Sequence, residues 1–116
     1  MDHETRELHD VIAHGVELFN REEFFEAHDV WEDHWLNTHG NDRCLLQGLI
    51  QTAAALYKLQ LGNVAGMAKL LAAAVEALGK VTGGDYGMDL TALRATVGAW
   101  KKIADERVQK GAAAPE

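Results

Sequence analysis

Proline is almost absent from this chain: the one copy, Pro115, stands next to the last residue. An interior without proline keeps every backbone N–H available to a helix and lets helices run long. Cysteine is as scarce. Cys44 alone cannot close an internal disulfide, which suits a reducing, cytoplasmic setting. Positive charge is also short, with 11 Lys and Arg against 18 Asp and Glu and a net charge of −7 with His neutral. Long nucleic acid is therefore a poor partner, because phosphate binding needs a basic surface. Stretches such as TAAALY are far too short to span a bilayer, so no membrane partner is expected. The opening MDHETRELHD is charged and unlike a secretory signal. Neither a Gly-x-Ser-x-Gly elbow nor a Gly-x-x-x-x-Gly-Lys loop occurs, which removes the chemistries those motifs serve. No cofactor motif is legible, and Cys44 reads as an inert thiol.

What is present fits one globular domain: 116 residues, 47% of them apolar. Alanine and leucine are plentiful and β-branched runs are missing, which favours helix over strand. Apolar periodicity predicts a first helix over 4–19, with Leu8, Val11, Ile12, Gly15, Val16 and Phe19 on one face. The segment NREE reads as a capping box in which Asn20 and Glu23 start a second helix over 21–38. Gly40 then provides a left-handed break. A third helix over 42–61 is apolar around more than half its circumference and should be central. Gly62 ends it and Asn63 caps a fourth over 64–78. After a TGGDYG loop, Asp89 caps a fifth that runs to about 108. The expected domain is 1–109, with 110–116 a disordered tail. Short links make antiparallel hairpins. The expected fold class is all-α, a compact bundle of about five helices built from antiparallel helical hairpins. Such a bundle can leave an apolar face uncovered, and a homodimer is one way to cover it.

The segment FFEAHDVWEDHW, 24–35, is unusual in mixing rings, carboxylates and histidines. At 100° per residue, Phe24, Trp31 and Trp35 share a stripe and His28 falls inside it. Glu32 lies one turn on at the edge, where an imidazole–carboxylate contact fits helix geometry. Three roles are open to this pair. It ties helices together as a satisfied buried group; it is an acid/base site, with His28 oriented by Glu32; or it belongs to a metal site with His39, a weak ligand set because Gly40 should end the helix there. Gln47, Gln51 and Lys58 share a stripe on the third helix. They form either its wet side or the far wall of a pocket facing His28 and Glu32, rimmed by Tyr57 and Lys58. Glu26 sits in the first turns of its helix, where free N–H groups favour a carboxylate. His3, His9, His14 and His34 fall on polar faces.

The segments LFNREEFFEAHDVWEDHW and LLQGLIQTAAALYKLQLGNVAGMAKLL resemble the small bacterial and archaeal family known as domain of unknown function 309. Its hallmark is an aromatic–Glu–Ala–His–Glu/Asp–x–x–Glu helix, then a Leu-Gln-Gly-Leu-Ile-Gln helix and a Gly-Asn turn. The likeness covers about residues 12–75, and the motif positions are Glu26, His28, Glu32, Trp35, Gln47, Gly48, Gln51, Asn63 and Gly66. The resemblance implies a compact all-helical cytosolic protein and no particular activity. The expected function is a small binding or interaction module with a His/Glu/Gln pocket between the second and third helices, lined by His28, Glu32, Trp31, Trp35, Gln47 and Gln51. The alternatives are an enzyme using His28, or a purely structural polar core.

Overall fold

A computed structural model describes residues 2–84 and 86–113. Its elements are α1 (His3–Asn20), α2 (Phe24–Trp35), α3 (Gly40–Gln60), α4 (Val64–Gly79) and α5 (Leu90–Ala113). Each helix packs on the next in sequence, and α3, between α2 and α4, is the centre. Among the described residues all regular structure is helical, so the chain is the all-α bundle that its periodicity predicts.

The helix ends follow from local chemistry. Asp2 caps α1, its side chain accepting from the Thr5 N–H at 2.7 Å. That hydrogen bond holds the Asp2 carboxyl below its usual value. Both tight turns close alike. At the end of α1, the Glu23 N–H reaches Leu18 O at 3.0 Å and the Glu22 N–H reaches Phe19 O at 2.9 Å. At the end of α3, the Asn63 N–H reaches Lys58 O at 2.8 Å and the Gly62 N–H reaches Leu59 O at 2.9 Å. This pairing is the Schellman motif, which needs a left-handed residue at the turn. Gly62 supplies it with φ 76°, whereas the first turn uses Glu22 at φ 62°.

The first turn corrects one expectation. Asn20 completes α1 instead of capping α2, and Glu23 precedes α2 with no side-chain cap. The Schellman bonds have already drawn the Glu23 N–H back into α1, so no capping box can form there. Asn63 does cap α4, accepting from the Gly66 N–H at 2.8 Å. Asp89 caps α5 through the Ala92 N–H at 3.0 Å. Gly40 is left-handed, as expected, but it opens α3. α5 runs to Ala113, past the expected domain end at 109. Residues 114–116 lie outside the described residues.

Two close approaches set the packing. A Cβ on Gly15 would lie 2.0 Å from Trp31 Nε1, so the bare glycine is what admits the indole. Trp31 is 2% exposed and its Nε1–H donates to Ile12 O at 3.4 Å. A Cβ on Gly48 would lie 2.5 Å from Leu78 Cδ2, which brings α4 down onto α3. Burial of Leu45, Leu46, Leu71 and Leu78 stabilises the core by roughly 1.5–3 kcal/mol per side chain.

The loop after α4 is tied back to the start of α3. Asn41 donates to Gly83 O at 3.1 Å and to the Tyr86 hydroxyl at 2.7 Å, and accepts from the Thr82 N–H at 2.7 Å. Tyr86 donates in turn to Asp42 at 2.7 Å. Burial, with this bond to Asp42, pushes the Tyr86 hydroxyl up to about 12. Arg94 of α5 donates to Leu78 O at 3.0 Å and to Val81 O, satisfying carbonyls at the end of α4.

Candidate ligand-binding cleft

The His28–Glu32 contact forms, with Nε2 and Oε2 3.0 Å apart. It forms at the surface. The His28 side chain is 25% exposed and that of Glu32 49%. The other ring nitrogen, Nδ1, lies 3.3 Å from Asp29 Oδ1. The ring is flanked by Phe25, whose centroid is 6.1 Å away and which leans on Tyr57 at 5.4 Å. A histidine acting as acid or base must turn one nitrogen to its substrate. Here both face carboxylates, and the arrangement ties down a helix surface.

The glutamines lie elsewhere. Gln47 is exposed and Gln51 half-buried, and with Cys44, Glu76 and Lys80 they line a groove of about 180 Å³ between α3 and α4. Gln51 and His28 are therefore not brought into one pocket. Gln47 and Gln51 lie on the side of α3 that faces α4, and α2 packs on another. The Gln51 Oε1 is sealed, and no donor among the described residues reaches it. Glu26 is exposed in the first turn of α2. Lys58 is half-buried in the last turn of α3.

The tryptophans also part company. Trp31 turns to α1, and Trp35 takes the Arg43 guanidinium over its ring, 3.8 Å from the centroid. Arg43 also donates to the carbonyls of Trp35 and Thr38 at 3.3 and 3.1 Å, clamping the α2–α3 link. This cation–π clamp was missed in the sequence because the two residues sit on different helices. His39 is exposed at the start of α3. Among the described residues no group of three or more His, Cys, Asp or Glu side chains is placed to hold a metal ion, so His28, Glu32 and His39 do not form a ligand set.

Two other clefts differ in character. A wide cleft of about 840 Å³ opens between the start of α1 and the α2–α3 link, with Glu4, Glu7, Asp33, Asp42, His34 and His39 around it. Its walls are mostly polar and charged, with Leu8, Val11 and Val30 as the apolar part. The second is smaller and of another character. A cleft of about 230 Å³ lies between the α1–α2 hairpin and α5 and also touches α3. Phe19, Trp31 and Trp100 are its aromatic walls, Val16, Leu49, Met88 and Leu93 its aliphatic ones, and Asn20, Thr52 and Thr96 its polar groups. Among the described residues no charged side chain lines it. The Phe19 ring lies 6.4 Å from both Trp31 and Trp100, nearly parallel to the second at 17°. Phe19 was legible as an apolar position of α1, and Trp100 stands on α5. The space between them depends on how α1 and α5 pair, for which neither helix carries a local signal.

Comparison with known families settles the relationship. The model of the family described as domain of unknown function (DUF309) matches residues 12–70, half of the chain. The chain belongs to the DUF309 family. This DUF309 member is similar to the crystal structure of a conserved hypothetical protein from Thermus thermophilus, with 32% identity and a TM-score of 0.64 over 73% of this chain and 88% of the other. No functionally curated protein matches. The family is one of unknown function and the Thermus protein is described as hypothetical, so neither supplies an activity for the DUF309 fold.

Proposed function

We propose that this DUF309 protein is a small-molecule binding module and that its site is the aromatic cleft between the α1–α2 hairpin and α5. The observation that carries this is an apolar space of about 230 Å³ walled by three aromatic rings and, among the described residues, free of charge. Empty apolar space forfeits the dispersion contacts that pack a core, so an occupant of matching shape restores them. An apolar cavity of about 150 Å³ is enough to take benzene. A small, mostly apolar molecule therefore fits here better than in the polar cleft by α1. Catalysis through His28 finds less support, since both its ring nitrogens face carboxylates.

The protein is taken as cytoplasmic on its single thiol, and no described helix is long and apolar enough to cross a membrane. Its acidic balance argues against nucleic acid as partner. The test is native mass spectrometry of the purified protein and of a Thr96→Trp variant that fills the cleft. A co-purifying small molecule lost from the variant supports the site. A molecule retained equally by both puts the binding elsewhere, and a dimer that disperses in the variant makes the cleft a contact between copies.

A further inference from the structure

We infer that the cleft takes an uncharged aromatic molecule of one or two rings that carries one O–H or N–H donor. This rests on the cleft being the binding site and adds the class of ligand. The ring requirement comes from the walls. Phe19 and Trp100 lie nearly parallel, at 17°, and Trp31 approaches the same Phe19 ring. A flat aromatic solute meets such walls in the offset-stacked and edge-on geometries that rings prefer, which a puckered aliphatic ring cannot. The charge requirement comes from the lining. Among the described residues no cation is present to receive an anion and no carboxylate to receive a cation, and burying an unpaired charge among indoles is costly.

The donor requirement comes from Thr52. This residue is 3% exposed, lines the cleft, and gives its one hydroxyl proton to Gly48 O at 2.7 Å. What it has left for a ligand is lone pairs, so the complementary group is a donor. Asn20 and Thr96, the other polar groups of the lining, are exposed and keep their donors for water, and Ile12 O accepts the Trp31 Nε1–H, so the buried polar group that meets a ligand is Thr52.

The experiment uses the full-length protein with ¹³C-methyl methionine and follows the Met88 methyl signal against phenol, cyclohexanol, toluene and benzoate. Phenol is expected to bind several-fold tighter than cyclohexanol, about the margin of one added ring contact. The Trp100→Leu variant should bring that ratio close to one. Thr52→Val should weaken phenol about fivefold, the loss of one hydrogen bond, and leave toluene unchanged. Benzoate should not bind. Cyclohexanol binding as tightly as phenol would overturn the aromatic inference and leave the cleft standing as a binding site. Equal weakening of phenol and toluene by Thr52→Val overturns the donor, and benzoate binding overturns the neutral lining. If no probe moves Met88 while the protein stays folded, the cleft itself is the wrong site.

Discussion

The α1–α2 and α3–α4 hairpins are two versions of one device. Each is a helix, a Schellman turn and a returning helix, and each closes a large apolar side chain over a glycine of the first helix. They differ in how firmly they are held. The second turn has a glycine in the left-handed position, an asparagine cap on the returning helix, and the Asn41–Tyr86–Asp42 network and Arg94 fastening its far end. The first has Glu22 in the left-handed position and no side-chain cap. The α1–α2 hairpin supplies Phe19 and Trp31 to the cleft. Two of the cleft's three rings thus stand on the hairpin with the less favourable turn, which is tied to α3 by Gln60, donating to Glu22 O at 3.0 Å, and by Arg43 at its far end. The α3–α4 hairpin is the frame, and its first helix adds Leu49 and Thr52 to the lining.

The two hairpins are most sensitive at their close approaches. Gly15→Ala should be the larger loss, about 3 kcal/mol, because the added methyl must displace a rigid, buried indole. Urea denaturation measures it, and the Trp31 Nε1–H resonance should move as its bond to Ile12 O is disturbed. Gly48→Ala meets the flexible end of Leu78, which can change rotamer, and should cost about 1–2 kcal/mol. If Gly48→Ala proved the costlier, the indole would not be the tighter of the two contacts.

These same residues show what could be read ahead. Gly15 appeared among the apolar positions of its helix, and Trp31 on the stripe of the next, but nothing local says that one receives the other. The helices themselves, the central position of α3, the Asn63 and Asp89 caps and the His28–Glu32 contact were legible, since each depends on neighbours within a turn or on periodicity. The pocket between the second and third helices was not. An α-helix has room on its circumference for two partners, and Gln47 and Gln51 share their side of α3 with Cys44, toward α4. Periodicity gives the angle between residues on one helix. It does not say which neighbour occupies each side.

The fastening of the second hairpin can be released by pH. Tyr86 has its folded-state value raised from 10.0 to about 12. The folded protein thus favours the protonated hydroxyl, and the unfolded chain releases its proton sooner. The stabilisation is fully present below about pH 10 and is lost as pH rises through about 12. Stability curves of the wild type and Tyr86→Phe should therefore converge over that window. At neutral pH, Tyr86→Phe should cost about 1 kcal/mol, the net worth of a hydrogen bond. A gap that stayed constant to high pH would mean that the hydroxyl contributes nothing through its proton.

The smallest effects are expected at the turn residues themselves. Outside glycine, the left-handed conformation costs about 1–2 kcal/mol. Gly62→Ala should therefore destabilise the second turn by about 1 kcal/mol. Glu22→Gly should relieve the same cost in the first, but glycine also loosens the unfolded chain, so the net gain should be smaller, about 0.5 kcal/mol. The signs are opposite although both substitutions fall at the same position of the same motif. Chemical denaturation of the two variants decides it. If Glu22→Gly stabilises the protein and also weakens phenol binding, then the strained turn is what holds Phe19 in place as a wall of the cleft, and Glu22 serves the site at the expense of the fold.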